Sequence, residues 1–509
     1  MVTPTDPRPG LGRAILSGSS WTAAAQVTPL LVNVVMTPYV LHAFGLPRYG
    51  VFLLATTIVA FVSSFDGGIG QSATRYFAVF AGADDKPAAT RMMATLLGVV
   101  LGLGLGVVVG LFLLAGPALS LFHPPASVQA EGVVLLRALA IVLVLSQVRS
   151  LLVAPITARQ LYAWPSSTSI LSYGVYATGL VLSVENGWGL RGVAWTCVAQ
   201  TLLAALLVLP PSLRYLDRSS VGLMPRHELT AFLRYSVSVQ VTGLANIVTT
   251  QLDTFVVGRL LSVSSVSIYG TGASFALQLR SVPVNVLGPM ATSVSQAFGR
   301  GGDAEAVEVF TRLQRSWVQG STAWSATALG ATYFGVSAWL GPEFRTAAVI
   351  ACLLTAANMV NLWTGALTIL LNAVGRPAIE TRYVAVAVVV NVALTIPLVI
   401  WLGVLGTVLA TALGTAIGSL YLLATARRRY DPALRSFLRD VPVTAGLAAA
   451  AAVVLAELAI RPWVPNGAVG LIFCGAAAVP GPVVFALVLL GPRAALSLGR
   501  RRLSRLTAS

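Results

Sequence analysis

Apolar runs of about 20 residues recur along the whole chain, separated by short polar stretches. A helix of that length crosses the roughly 30 Å hydrocarbon core of a bilayer. The pattern predicts about fourteen spanning helices. The first six are expected over residues 15–41, 49–80, 91–122, 133–157, 166–184 and 190–209. An arginine-rich connector over 211–228 follows. A second set is expected over 232–260, 266–298, 309–340, 347–373, 378–401 and 404–426. Another basic stretch, ARRRYDPALRSFLRD, precedes two last spans over 441–458 and 468–490. The expected fold is therefore an all-α polytopic membrane protein. It has a six-helix bundle within 1–210, the connector 211–228, a second six-helix bundle within 229–429, and two further helices with a basic tail within 430–509.

Composition agrees. Of 509 residues, 56% are hydrophobic and 10% charged, whereas soluble proteins carry about 25% charged residues. The net charge of +16 is almost entirely arginine, with Lys86 the only lysine. It sits in short loops, where it sets topology, and is no sign of a nucleic-acid partner. With the N-terminus placed in the cytoplasm, inside loops hold about 24 basic residues and outside loops about 5. Both termini are thus expected inside the cell. Arg8 and Arg13 precede a long apolar segment, which reads as a first span and not as a removed signal peptide.

The two sets of spans resemble each other. Gln26-Val27-Thr28, then Leu30 and Asn33, is matched by Gln240-Val241-Thr242, then Leu244 and Asn246. Tyr49-Gly50 opens the second span and Tyr269-Gly270 the eighth. Both of those spans have Gly- or Pro-interrupted middles, FDGGIG and NVLGPM. An offset of roughly 214 to 220 residues implies a parallel repeat of six spans, with a pseudo-two-fold along the membrane normal and a binding site between the halves.

Charge inside apolar helices marks the candidate chemistry, because it costs several kcal/mol at bilayer depth unless it faces a bundle interior or a watery cavity. Asp66, Gln71 and Arg75 follow an uncharged run in the second span, together with Gly67, Gly68 and Gly70. They either line a polar cavity or cap a helix end near the headgroups. Arg149 lies past the middle of the fourth span, and Arg280 near the centre of the eighth with Gln278 before it. Asp253 lies late in the seventh span, which also carries Asn246 and Gln251. Arginine suits a phosphate group, since its planar donor fork matches phosphate oxygens and keeps its charge. The alternative is that each arginine pairs with Asp66 or Asp253 as structure. Arg137, nearer the outer end of its span, is expected to snorkel. Gly98, Gly102, Gly106 and Gly110 form a small-residue stripe on the third span, expected to admit close helix packing.

Other chemistries find no support. There is no G-x-x-x-x-G-K-[ST] phosphate loop. His42, His123 and His227 form no metal pattern, and Cys197, Cys352 and Cys474 form no disulfide framework. No catalytic dyad or triad can be argued from spacing, and no long outside loop could house a polymerase or ligase site. The chain reads as a conduit with no cofactor and no enzymatic engine, driven by an ion gradient or by the substrate gradient.

SSWTAAAQVTPLLVNVVMTPYVLHAFGLPRYGVF followed by FDGGIGQSATRYF resembles the opening of the bacterial polysaccharide-repeat-unit flippases. These belong to the multidrug/oligosaccharidyl-lipid/polysaccharide exporter superfamily. TTQLDTFVVGRLLSVSSVSIYG resembles that family's seventh span and LLNAVGRP its tenth-to-eleventh loop. The resemblance runs from about residue 15 to about residue 429 and implies a two-bundle, V-shaped fold with alternating access. It implies a polyprenyl-pyrophosphate-linked oligosaccharide as substrate, flipped across a bacterial cytoplasmic membrane for cell-surface polysaccharide synthesis. It also implies membrane lipids and, beside them, a glycan polymerase or glycosyltransferases as partners. A cationic cavity typical of the family suits Arg280, Arg149 and Arg75. Gln278, Asn246, Gln240, Gln26 and Asn33 would face the sugars. A cation-coupled exporter of small molecules, using Asp66 or Asp253 for the ion, stays open beside it. So do a peptidoglycan lipid-precursor flippase and a non-transporting scaffold.

Overall fold

The computed structural model describes residues 11–63, 69–159, 161–284 and 286–491. Only the backbone is followed in parts of the helices, including 11–20, 237–246 and 427–440. Among the described residues there are helices and turns but no strand. Ten of the helices are long and apolar enough to cross a membrane. The protein is an all-α, multi-pass membrane protein. Its chain divides into two compact units, residues 1–267 and 268–509.

The first unit holds α1 (Leu11–Ser63), α2 (Ile69–Ala83), α3 (Lys86–Ser120), α4 (Ala126–Thr157), α5 (Ala163–Glu185), α6 (Gly189–Leu213) and α7 (Arg226–Leu260). α1 contains the first expected span and half of the second. They meet at Gly45, whose φ of 75° is a left-handed conformation that favours glycine. The second half of α1 then turns past Arg48, which reaches Glu131 on α4 at 3.2 Å. Glu131 also accepts the backbone N–H of Leu190 at 3.0 Å, so one carboxylate ties α1 and α4 to the start of α6. α1 packs on α4, α5 and α7. Gly50 admits a close approach: a Cβ there would overlap the Val263 carbonyl oxygen. The described residues of the second expected span belong to the end of α1 and to α2, and residues 64–68 between them lie outside the described residues.

Phe77, Met92, Leu96, Leu151 and Phe232 form one apolar core of this unit. The glycine stripe of α3 does not take part as expected. Cβ atoms at Gly98, Gly102, Gly106 and Gly110 would meet nothing within 4 Å. Gly104 is the packing glycine, where a Cβ would lie 2.7 Å from Val144. The stripe falls on the outward face of α3, among exposed Leu101, Leu103 and Leu105, while Leu96, Val100 and Gly104 turn inward. Arg137 is half-buried and donates to the Phe112 carbonyl at 3.0 Å, with its guanidinium over the Phe112 ring.

In α6, Pro211 has no N–H to offer Leu207 four residues back. The Trp164 indole Nε1 donates to that Leu207 carbonyl at 3.0 Å, and α5 is held on α6 by the exchange. The connector after α6 is laid on α3: Thr90 and Thr95 hydroxyls accept the backbone N–H groups of Asp217 and Met224, both at 2.8 Å.

α8 (Val263–Val284) begins in the first unit and runs into the second. The second unit continues with α9 (Leu287–Leu340), α10 (Arg345–Ala373), α11 (Pro377–Leu402), α12 (Val404–Asp440), α13 (Val443–Ile460), α14 (Ala468–Ala477) and α15 (Pro480–Leu490). The eighth expected span is divided between α8 and the first part of α9, with a turn at Val286. α9 changes direction at Gly301 and Gly302, the latter with φ 65°. Its two parts therefore complete the eighth expected span and supply the ninth. The stretch expected as a second basic connector stays helical to Asp440 as the end of α12. The last expected span parts between α14 and α15, where Pro480 withholds an N–H from Ala476.

α10 packs on α9 and α12, α11 packs on α12, and α13, α14 and α15 lie against α9. Phe310, Val318, Leu367, Leu370, Leu371 and Leu422 make the main core of the unit. Leucine, valine and isoleucine on outward faces, such as Ile400 and Leu420, are exposed. That is the expected state of a helix surface whose solvent is lipid.

Candidate functional site

Arg280 lies on α8, and no carboxylate reaches it within ion-pair distance among the described residues. Its Nη2 donates to Asn361 Oδ1 on α10 at 2.8 Å. The Asn361 amide then donates through Nδ2 to Tyr383 Oη on α11 at 2.6 Å. The Tyr383 hydroxyl also meets Ser419 on α12, and the ring is 8% exposed. Four helices thus position one guanidinium through neutral groups. Arg280 Nε is buried with no hydrogen-bond partner. A guanidinium has five N–H donors in a fixed fork, so this network leaves most of its donors uncommitted.

The local backbone explains why the side chain sits there. Pro283 cannot donate to the Leu279 carbonyl, four residues before it. Trp324 Nε1 on α9 does so instead, at 2.9 Å. α8 is thereby pinned to α9 beside Arg280, and the helix ends one residue after Pro283.

Arg149 occupies a comparable setting in the first unit. On α4, its Nη2 donates to Ser169 Oγ on α5 at 2.6 Å, and its Nε is buried with no partner. Tyr173 lies one turn beyond Ser169, edge-on to Tyr176 with ring centroids 6.1 Å apart. As with Arg280, no described carboxylate lies within ion-pair distance. Among the described residues neither arginine is matched to a buried acid, and Asp66 lies outside them. The contrast with Arg48 is direct, since its guanidinium meets the Glu131 carboxylate through two hydrogen bonds.

The remaining candidates are dispersed. Asp253 is 2% exposed on α7, two residues after Gln251, which accepts from Thr57 of α1 at 3.1 Å. Gln26 and Asn33 are exposed on the first half of α1, and Gln278 is half-buried on α8. Neither arginine hydrogen-bonds another candidate. Asp66 lies outside the described residues, as do the side chains of Arg75, Gln71, Gln240 and Asn246. Sequence reasoning missed Asn361, Tyr383, Ser169 and Trp324. Asn361 carried a usable signal, an amide in the middle of the apolar run AANMVNLW. Ser169 and Tyr383 carried none, because serine and tyrosine are ordinary in spanning helices.

A family model described as polysaccharide biosynthesis protein matches residues 15–295, more than half of the chain. No curated protein matches the sequence significantly. Among solved structures, the lipid II flippase MurJ in an inward closed conformation is similar at TM-score 0.70 and 13% identity. The match covers 93% of this chain and 98% of that one. An inward-facing multidrug resistance MATE family transporter of the MOP superfamily is similar at TM-score 0.62 and 11% identity, covering 81% of this chain and 99% of that one. A MOP superfamily transporter from Pyrococcus furiosus, described by a binding pocket of reversed polarity, gives TM-score 0.57 at 14% identity, covering 83% and 96%. At such identities the likeness concerns the fold, which is that of MOP superfamily transporters.

Proposed function

We propose that this chain, which belongs to the polysaccharide biosynthesis protein family, flips a polyprenyl-pyrophosphate-linked oligosaccharide repeat unit across the cytoplasmic membrane by alternating access. Arg280 and Arg149 grip the pyrophosphate, polar side chains meet the sugars, and the prenyl tail stays in lipid. Glycosyltransferases supply the substrate and a polymerase consumes it. The observation that carries this reading is the state of the two arginines. Each is held by a neutral oxygen, with no described carboxylate in range and a buried Nε that has no acceptor. A half-buried cation in that state lacks a counter-charge, and an anionic ligand supplies one. Phosphate suits it, because guanidinium and phosphate pair through two parallel hydrogen bonds.

The likeness to MurJ supports the same chemistry on another lipid, since a peptidoglycan precursor would also present a pyrophosphate. A cation-coupled small-molecule exporter is favoured by a different observation, the burial of Asp253 on α7. One experiment separates them. Proteoliposomes holding the full chain are loaded with a fluorescent prenyl-pyrophosphate oligosaccharide, with fluorescent lipid II, or with an imposed proton or sodium gradient and a dye substrate. Fast flipping of the oligosaccharide lipid, reduced at least about tenfold by Arg280→Ala and by Arg149→Ala, is expected. Equal flipping by both variants overturns the pyrophosphate grip. Dye export that depends on Asp253 with no lipid flipping overturns the flippase reading.

A further inference from the structure

We infer that a pocket at one end of the second unit binds the headgroup of a zwitterionic phospholipid, an ammonium joined to a phosphate, drawn from the surrounding bilayer. The pocket encloses about 220 Å³ where α9 ends, α10 begins and α13 turns into α14. It is separate from the arginine networks and contains none of their residues.

Its chemistry has two signs. Glu457, one turn before the end of α13, lines it and is 1% exposed. Cys474 of α14 lines the pocket with it, and Glu457 Oε1 is buried with no hydrogen-bond partner. Arg345 and Arg461 also line the pocket, both are exposed, and neither has a carboxylate within ion-pair distance among the described residues. An isolated buried carboxylate is costly until a donor or a cation reaches it. A metal ion is a poor occupant, because two guanidinium groups repel it. A simple anion is equally poor, because it would meet Glu457. A ligand carrying an ammonium for Glu457 and a phosphate for Arg345 and Arg461 satisfies all three at once. A primary ammonium has N–H donors for Oε1, which a trimethylated one lacks.

The placement argues for a lipid source. The pocket opens at the ends of spanning helices, the depth at which headgroups lie. Trp463, 74% exposed in the turn after α13, is the amphipathic aromatic residue enriched at that depth. Phe334 and Val464 give the pocket apolar walls. Leu455, Leu458, Ile472 and Phe473 are exposed on α13 and α14, which offers acyl chains an apolar track on the same helices.

The test uses the purified full chain in mixed micelles of equal dioleoyl phosphatidylethanolamine, phosphatidylglycerol and phosphatidylcholine, with retained lipid read by native mass spectrometry. Phosphatidylethanolamine is expected to be retained about tenfold over the other two, the equivalent of one charge-assisted hydrogen bond. Glu457→Gln removes the preference and raises phosphatidylglycerol to the same level, since the repelling charge is gone. Arg345→Ala with Arg461→Ala, both exposed positions, lowers retention of phosphatidylethanolamine and leaves the fold intact. Equal retention of all three lipids by the unaltered protein overturns the proposal, and so does a preference that survives Glu457→Gln. Soluble glycerophosphoethanolamine retained as well as the lipid overturns the bilayer source. None of these readings depends on flipping.

Discussion

Asn361→Leu isolates how Arg280 is positioned. Leucine keeps the branched four-heavy-atom outline of asparagine, with bulkier ends, but has no acceptor, so the 2.8 Å bond to Arg280 Nη2 disappears. A hydrogen bond to a charged group contributes about 1.5–3 kcal/mol. That corresponds to roughly a 10- to 150-fold loss in the population of correctly placed guanidinium. The Tyr383 hydroxyl is one link further away and neutral, joined to Asn361 Nδ2 at 2.6 Å. Tyr383→Phe therefore removes about 1 kcal/mol, or about fivefold. The assay is the initial rate of oligosaccharide-lipid flipping in proteoliposomes at matched protein content. A thermal unfolding midpoint measured in detergent separates positioning from loss of fold. The expected order of rates is unaltered protein, then Tyr383→Phe, then Asn361→Leu, then Arg280→Ala. An Asn361→Leu protein that flips at the unaltered rate while Arg280→Ala is inactive refutes the argument that the α10 amide holds the guanidinium in place.

Two further substitutions probe the scaffold. Trp324→Phe leaves the Leu279 carbonyl without the donor that stands in for Pro283, at a cost of about 1–3 kcal/mol. A lowered unfolding midpoint together with a slower flipping rate is expected, and an unchanged midpoint would show that the carbonyl finds another donor. Glu131→Ala removes the bonds to Arg48 and to the Leu190 N–H. The ion pair is partly exposed and discounted accordingly, so the loss is about 1–2 kcal/mol. This should appear as a lower midpoint by thermal unfolding with flipping retained, and abolished flipping at an unchanged midpoint would instead place Glu131 in the transport path.

The number and spacing of apolar runs were enough to place this chain in a bilayer as helices, because a spanning segment must satisfy its own backbone hydrogen bonds whatever surrounds it. The interruption of the eighth span was legible for the same local reason: proline acts on its own backbone, and the structure divides that span between α8 and α9, whereas the glycine-rich middle of the second span falls largely outside the described residues. Arg149 and Arg280 were legible as charges within apolar helices. Their partners were not, because Ser169, Asn361 and Tyr383 come from other helices and nothing in their own segments specifies whom they meet. The α3 glycines show the same limit from the other side. A stripe of small residues records that a face could pack closely, but only the arrangement of neighbouring helices selected Gly104 and left Gly98, Gly102, Gly106 and Gly110 facing outward. Glu457 passed unremarked in an alanine-rich span: Arg461 and Cys474 follow it closely in the chain, but Arg345, more than a hundred residues earlier, joins them only once α10 meets α13 and α14 at one pocket. Period and composition are properties of one segment and survive reading in one dimension. A hydrogen-bond partner, or the lack of one, belongs to a pair of segments and exists only once the helices are packed.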